Sequence, residues 1–198
     1  PEILIAGCGT GQHAITTASK YKKSKILALD LSFKSLSYAK RKADELKIGN
    51  IDFIQGDILN LESMNRKFDI IESVGVIHHM DNPFKGWKIL TSCLNNGSLM
   101  LIGLYSEKAR QHIIQIKNKI NKLKLHSNYE NIIKFRKELI ENKNDQWSFI
   151  KSSPDFYTVS GVRDLLFHVQ EHQFTISKIK KYLDKLGLIL SLIHISEP

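Results

Sequence analysis

Cysteine and long apolar runs are scarce in this sequence. The two cysteines, Cys8 and Cys93, stand in unrelated contexts, which favours reduced thiols in a cytoplasmic protein over a disulfide-stabilised secreted fold. No apolar run approaches the ~18 residues of a membrane span, and no segment has the pattern of a secretion signal. With 198 residues, 42% of them hydrophobic, the chain is long enough for one domain with a substantial core.

The formal net charge is +9, but its distribution does not favour a nucleic-acid partner. Residues 106–153 carry eleven basic and five acidic side chains and hold most of the excess. Lysine outnumbers arginine by 24 to 5, as an AT-rich coding sequence would produce without any selection for phosphate binding. Because net charge alone promotes only nonspecific association, we expect neither a nucleic acid nor a membrane as partner.

Apolar runs alternate with helical patterns along the first half of the chain, as in a parallel sheet with crossover helices. The predicted strands are 3–6, 25–29, 51–55, 68–73 and 99–105. The predicted helices are 12–20, 35–47 and 82–94, the last closed by a turn at Asn95-Asn96-Gly97. These elements predict an α/β fold of the Rossmann-like type, with helices on both faces of the sheet.

Residues 106–153 interrupt this rhythm and predict a helical insert. An apolar seam at steps of three and four indicates one long helix through Ala109, Ile113, Ile116, Ile120 and Leu123. A second helix is expected over 130–140, and a last one over 177–186, followed by a strand from Leu188. The insert is either a solvated packing element, a lid or a partner-binding arm, and we favour a lid.

A glycine-rich loop, AGCGTGQHA, joins the first predicted strand to the first helix. Glycines let backbone amides approach a ligand where any side chain would collide. The pattern is G-x-G-x-G at Gly7, Gly9 and Gly11, and Gln12 stands where the dinucleotide-binding pattern requires its third glycine. Asp30 follows the second strand, where a carboxylate can accept hydrogen bonds from both ribose hydroxyls.

These motifs resemble those of the class I S-adenosylmethionine-dependent methyltransferases. AGCGTG is similar to their first motif, Asp30 to their ribose-binding acid and the GDIL run at 56–59 to the motif that faces adenine, while FDIIESVGVIHHMDNP and GSLMLIGLYS resemble their fourth and fifth strand segments. The chain departs from them at Ile5, where many members carry an acid that contacts the amino group of the cofactor. The resemblance implies S-adenosylmethionine as cofactor, bound by Gly7, Cys8, Gly9, Thr10, Gly11, Asp30, Leu31, Asp57, Ile58, Ser73 and Val74.

A closer resemblance is to bacterial methyltransferase domains found beside tetratricopeptide repeats, so we expect such repeats upstream in the full-length protein.

The residues 190–198, LSLIHISEP, resemble a translated sequencing adapter, and we predict that they are an artefact and that the final hairpin of the family is missing. The expected organisation is a cofactor-binding core over 1–105, an insert and acceptor-side loop over 106–176, the last helix and the start of a sixth strand over 177–190, and the tail over 191–198.

Residues for the chemistry are less well marked than residues for the cofactor. His78 and His79 follow the fourth strand, and either could act as a general base, although a capping or loop role is the alternative. Enzymes that methylate amines of nucleic acids carry an Asn or Asp, two prolines and an aromatic residue at the end of the fourth strand. In this chain that place reads SVGV. The Asp81-Asn82-Pro83-Phe84 run is instead predicted to begin the next helix.

His168, Glu171 and His172 have the H-x-x-E-H spacing, which on a helix would place two imidazoles on one face. No third ligand has convincing spacing, so we predict no metal. This stretch, with Tyr157, Arg163 and Asp164, either lines the acceptor pocket or clamps the insert to the sheet. His78, His79, Tyr157 and His168 are therefore the catalytic candidates.

The function expected from these motifs is transfer of a methyl group to a small-molecule or protein acceptor. A noncatalytic cofactor-binding or protein-interaction module is the alternative, and a nicotinamide oxidoreductase is disfavoured by Gln12.

Overall fold

The computed structural model describes residues 1–141, 148–168 and 170–192, so most of the predicted adapter-like tail lies outside the described residues. The described chain forms two compact units. The first contains Pro1–Tyr105 and His172–Ile189, and the second contains Ser106–Glu171. No helix in the described ranges is both long enough and apolar enough to cross a bilayer.

The first unit is built on a five-stranded, all-parallel sheet with the strand order β3-β2-β1-β4-β5. The strands are β1 Glu2–Ala6, β2 Lys25–Asp30, β3 Ile51–Gln55, β4 Phe68–Val74 and β5 Leu94–Gly103. The helices of the chain are α1 Gln12–Lys20, α2 Phe33–Glu45, α3 Pro83–Ser92, α4 Gln111–Lys122, α5 Tyr129–Glu141, α6 Ser148–Ser152, α7 Val159–Phe167 and α8 Ile176–Leu186. The predicted α/β fold with a parallel sheet is confirmed.

Apolar side chains cover both faces of the sheet, as expected for buried parallel strands. One face carries Leu4, Leu27 and Ile71, and the other carries Ile3, Ile5 and Ile26 with residues of α1 and α2. Helices α2 and α3 begin where the sequence provides capping groups. The Ser32 hydroxyl accepts from the Ser35 amide at α2, and the Asn82 side chain accepts from the Lys85 amide at α3, whose first residue is proline as predicted.

The predicted turn at 95–97 is wrong, because these residues lie inside β5. The strand begins at Leu94, which pairs with Phe68, and the next pair is Leu99 with Ile70. The extra residues between these pairs form an irregularity in the ladder, with Gly97 in the left-handed region at φ 75°. A bulge of this kind keeps both ends of the strand paired, so the glycine signal marks a distortion within the strand.

The strand predicted from Leu188 is also absent, since no described residue after Gly187 lies in a strand. Gly187 ends α8 in the left-handed conformation, and the Leu188 amide donates to the Leu183 carbonyl at 3.0 Å. This bond caps the helix. Before α8, the amides of His172 and Phe174 donate to the carbonyls of His78 and Tyr105, all within the first unit.

The second unit is a helical cluster made by α4, α5, α6 and α7. The predicted seam of α4 is buried at Ile113, Ile116 and Ile120, whereas Leu123 at the end of the helix is half exposed. The isoleucines pack in one core with aromatic and aliphatic side chains that include Phe135 from α5 and Leu166 from α7. The predicted helix pair at 106–153 is confirmed by this arrangement.

A buried ion cluster joins the beginning of the second unit to its end. The Arg110 guanidinium donates to both oxygens of Glu171, at 2.8 Å from Nε and 3.0 Å from Nη2. Lys117 Nζ donates to Glu171 Oε2 at 2.7 Å. The Arg110 and Glu171 side chains are only 1% and 5% exposed. Burial alone would raise the pKa of Glu171, but the hydrogen bonds from Lys117 and Arg110 outweigh it and hold this pKa below its ordinary value.

Candidate functional site

A cavity of about 180 Å³ lies in the first unit at the carboxyl ends of the strands. The strand order β3-β2-β1-β4-β5 reverses direction at β1, and ligands of open α/β sheets bind beside the strand ends at such a reversal. The cavity is lined by Gly7, Leu29, Asp30, Leu31, Gly56, Asp57, Ile58, Gly75, Val76, His79 and Met80. Six of the sequence-predicted site residues are among them.

The three glycines of the loop after β1 have different roles. A Cβ added at Gly7 would collide with the Val76 side chain, and one at Gly11 would lie 2.5 Å from the Ala39 Cβ of α2. At Gly9, with φ +53°, a Cβ would meet no atom within 4 Å. Gly7 and Gly11 are therefore required by packing, whereas Gly9 faces open space where a ligand can approach the backbone.

We expect Gly11→Ala to destabilise the first unit by about 1–3 kcal/mol, because it adds a steric overlap to an unfavourable positive φ. Gly97→Ala is the matched control, since Gly97 also has a positive φ but no atom within 4 Å of the added Cβ. The midpoints of thermal unfolding of the two variants measure the difference. Equal midpoints would show that the contact with Ala39 is unimportant.

The carboxylate of Asp30 is held in one orientation at the end of β2. Its Oδ2 accepts from the Gly9 amide at 2.7 Å, and its Oδ1 accepts from the Ser32 amide at 2.9 Å. Each carboxylate oxygen can accept a second hydrogen bond. Asp30 thus links the glycine loop to the start of α2 and keeps acceptor capacity for a ligand with two neighbouring hydroxyls.

Asp57 and Ile58 line the cavity after β3. Asp57 Oδ1 accepts from the Leu59 amide at 2.9 Å and so caps the short 3-10 segment Ile58–Met64. Ile58 is buried in the core, while Leu31 from the end of β2 is exposed. Two apolar side chains and one fixed carboxylate therefore border this part of the cavity, which is suited to a flat heterocycle with an amino group.

The other residues predicted for the cofactor are not part of the cavity lining. Ser73 is buried, and its hydroxyl donates to the Ala6 carbonyl at 3.0 Å, which ties β4 to β1. Thr10 and Val74 are exposed. Cys8 is buried; its amide donates to the Leu29 carbonyl at 3.0 Å, and burial, followed by the charge of Asp30, raises the pKa of its thiol to about 12.

The two adjacent histidines after β4, His78 and His79, have different environments. His79 lines the cavity. His78 is 1% exposed, its ring lies 3.8 Å from the Tyr105 ring between centroids, and its carbonyl accepts from the His172 amide at 2.7 Å. His78 therefore has the environment of a core residue, and His79 is the histidine available to a ligand in the cavity.

The two remaining catalytic candidates belong to the second unit. The exposed Tyr157 donates its hydroxyl to the Lys151 carbonyl at 2.9 Å, and His168 Nδ1 accepts from the Gln170 amide at 3.3 Å. The H-x-x-E-H spacing does not lie on a helix, because α7 ends at Phe167 and His168 is extended. Glu171 of that pattern is bound by Arg110 and Lys117.

Five cavity residues are not among those predicted to bind the cofactor, namely Leu29, Gly56, Gly75, Val76 and Met80. Their common signal is position, since each lies at or just after the carboxyl end of a strand. Gly75, with φ +79°, begins the turn after β4 that brings Val76 against the glycine loop.

A parallel sheet with this order, a glycine loop after β1 and an acid at the end of β2 define a Rossmann-like domain. Residues 2–184 match the family described as "Methyltransferase domain". The chain belongs to that family.

The chain is also similar to several curated relatives and solved structures. The chain is 26% identical over 196 residues to an uncharacterised protein of Synechococcus sp., covering 95% of this chain and 47% of the relative. It is 36% identical over 100 residues to the (S)-coclaurine N-methyltransferase of Papaver somniferum, covering 50% of this chain and 28% of that enzyme. The solved structure of PKMT2 from Rickettsia typhi in complex with AdoHcy superimposes with a TM-score of 0.69 at 22% identity, covering 92% of this chain and 38% of that one. The chain thus spans half or less of the length of these relatives.

Proposed function

We propose that this chain is a methyltransferase domain that binds S-adenosylmethionine in the cavity at the ends of β1, β2 and β4. The observation that carries the proposal is the pairing of Gly9, which faces open space, with the Asp30 carboxylate that its amide holds at 2.7 Å. A backbone that a ligand can approach and a fixed acid on the neighbouring strand fit an adenosine with its ribose hydroxyls.

Each part of the ligand has its own contacts in this proposal. Asp30 accepts hydrogen bonds from the ribose hydroxyls, Asp57 accepts one from the adenine amino group, and Ile58 and Leu31 border the adenine ring. Gly7, Cys8, Gly9, Thr10 and Gly11 supply a backbone close to the methionine part, with Ser73 and Val74 at the adjacent end of β4. The cavity lining supports the roles of Gly7, Asp30, Leu31, Asp57 and Ile58, and membership of the family supports the cofactor.

Bound S-adenosylmethionine supplies an electrophilic methyl group whose thioether leaving group needs no proton. The domain therefore has to align an acceptor and, where the acceptor atom carries a proton, remove it. His79, which lines the cavity, is proposed as the general base for such an acceptor. Tyr157 and His168 remain proposed acceptor-side residues of the helical unit, and His78 is assigned a supporting role.

The acceptor is proposed to be a small molecule or a protein, and the helical second unit is proposed to act as a lid. The protein is proposed to be cytoplasmic, and the resemblance noted above favours tetratricopeptide repeats in the full-length chain.

Isothermal titration with S-adenosylmethionine and with NAD tests the proposal. We expect a dissociation constant in roughly the micromolar range for the first ligand and no saturable binding of the second. Transfer of a radiolabelled methyl group into fractionated lysate then tests catalysis. Binding of NAD alone would overturn the proposal, and binding of S-adenosylmethionine without any labelled acceptor would favour a noncatalytic module.

A further inference from the structure

The register between β1 and β4 places a carboxylate next to the position where this chain lacks one. Ile5 pairs with Glu72 across the two parallel strands. Because side chains alternate along each strand and paired residues of parallel strands share a face, Glu72 lies on the same face of the sheet as Ile5. The acid that similar enzymes carry at Ile5 thus has a counterpart one strand away.

The Glu72 side chain is fixed against the helix that follows the glycine loop. Its Oε2 accepts from the Thr17 hydroxyl at 3.1 Å and lies 2.7 Å from His13 Nε2, and both partners are on α1. Within residues 1–141, 148–168 and 170–192, both contacts of this carboxylate involve Oε2, which leaves acceptor capacity on Oε1.

Packing alone does not explain a carboxylate at position 72, because the surrounding sheet face is apolar. Its side chain is 12% exposed, and it lies on the sheet face that carries Ile3 and Ile5, against which Ile15 of α1 packs. A largely buried carboxylate loses hydration and must be compensated by hydrogen bonds or charge. Thr17 is neutral and His13 is half exposed, so the pair offers limited compensation for the lost water. A cationic ligand group would complete it.

We propose that Glu72 takes the place of the missing acid and binds the ammonium group of the methionine part of S-adenosylmethionine, with His13 and Thr17 as positioning residues. This inference rests on the proposed function. An ammonium group offers three donors, and hydrogen bonds between two charged groups are among the stronger ones in proteins. Glu72 Oε2 lies 2.7 Å from Nε2 of His13, and His13 is in the first turn of α1, which begins directly after Gly11, so the carboxylate is close to the end of the glycine loop.

Two ligands separate a contact with the ammonium group from a general effect on the site. S-Adenosylhomocysteine carries the amino-acid part, and 5′-methylthioadenosine carries the adenosine and thioether without it. We expect Glu72→Gln to weaken binding of S-adenosylhomocysteine about ten-fold or more in isothermal titration, with the affinity for 5′-methylthioadenosine unchanged within two-fold. Asp69→Asn is the matched control, since Asp69 lies at the amino end of the same strand, where it accepts from the Glu2 amide and the Asn95 side chain. This control should change neither affinity.

His13→Ala is the second variant, because it removes a half-exposed partner of Glu72 without opening the core. It should lower the preference for S-adenosylhomocysteine over 5′-methylthioadenosine by a smaller factor. An equal loss for both ligands in Glu72→Gln would overturn the inference, as would a wild-type protein that binds both equally well, and neither result would affect the proposed function. A wild-type protein that binds neither ligand would instead overturn the proposed function itself.

Discussion

Replacing Asp30 by alanine lowers the affinity of the domain for S-adenosylmethionine at least ~10-fold, because two charge-assisted hydrogen bonds to the ribose are lost. The structure adds a second consequence. The Gly9 and Ser32 amides, which Asp30 accepts from at 2.7 and 2.9 Å, lose their acceptor as well. Isothermal titration gives the affinity, and the midpoint of thermal unfolding of the ligand-free protein gives the cost to the loop.

Asp30→Asn distinguishes the two effects. An asparagine side chain keeps one oxygen that can accept from a backbone amide, but its nitrogen cannot accept from a ribose hydroxyl. The asparagine variant should therefore unfold closer to the wild-type temperature than the alanine variant does, while binding remains weakened. Asp52→Ala on the neighbouring strand β3 is the control for a lost surface carboxylate, since Asp52 is exposed. Wild-type affinity in Asp30→Ala would contradict the assignment of the ribose site.

Replacing Glu171 by alanine should destabilise the second unit by about 3–5 kcal/mol, because it leaves the buried charge of Arg110 without its carboxylate. Glu138→Ala is the matched control. Glu138 pairs with Lys119 at 2.6 Å on the surface, where an ion pair contributes only about 0–1 kcal/mol. Denaturant unfolding measures the free energies, and hydrogen exchange of the α4 amides localises the effect. If the two variants were equally stable, the buried cluster would have no special role.

The same cluster predicts how stability depends on pH. Because the pKa of Glu171 is lower in the folded protein than in the unfolded chain, its contribution is fully present above the unfolded value of about 4.3 and is lost as the pH falls through the folded value. The stability difference between wild type and Glu171→Gln should therefore shrink as the pH is lowered from 6 towards 3.

The sequence predicted the elements that depend on local pattern. Alternating apolar runs placed the strands, and the periodic isoleucines placed α4 at Ile113, Ile116 and Ile120. The glycine loop and Asp30 could be predicted because a strand, a tight bend and an acid at the next strand end form a short-range signature. The turn at 95–97 was misplaced because glycine in the left-handed conformation serves a bulge as well as a turn.

Contacts between distant residues were beyond the sequence. Arg110 and Glu171 are 61 positions apart in the sequence. Neither the apolar seam of α4 nor the charge count indicated that an arginine next to this seam would be buried. The pairing of Glu72 with Ile5 depends on the register of two strands that are not consecutive in the chain. Which of His78 and His79 faces the cavity depends on the rotation of one short 3-10 segment, Ile77–His79, which no periodicity can specify.

Burial of Cys8 in the glycine loop determines how its thiol reacts with oxidants. A thiol with a pKa of about 12 is almost entirely protonated at neutral pH, and the thiolate is the form that attacks peroxides, disulfides and alkylating reagents. The motif thus places a sulfur atom next to Gly7 of the cavity lining without creating a redox-sensitive position. Maleimide or iodoacetamide labelling would spare this residue while the fold is intact, so it offers a reporter of unfolding.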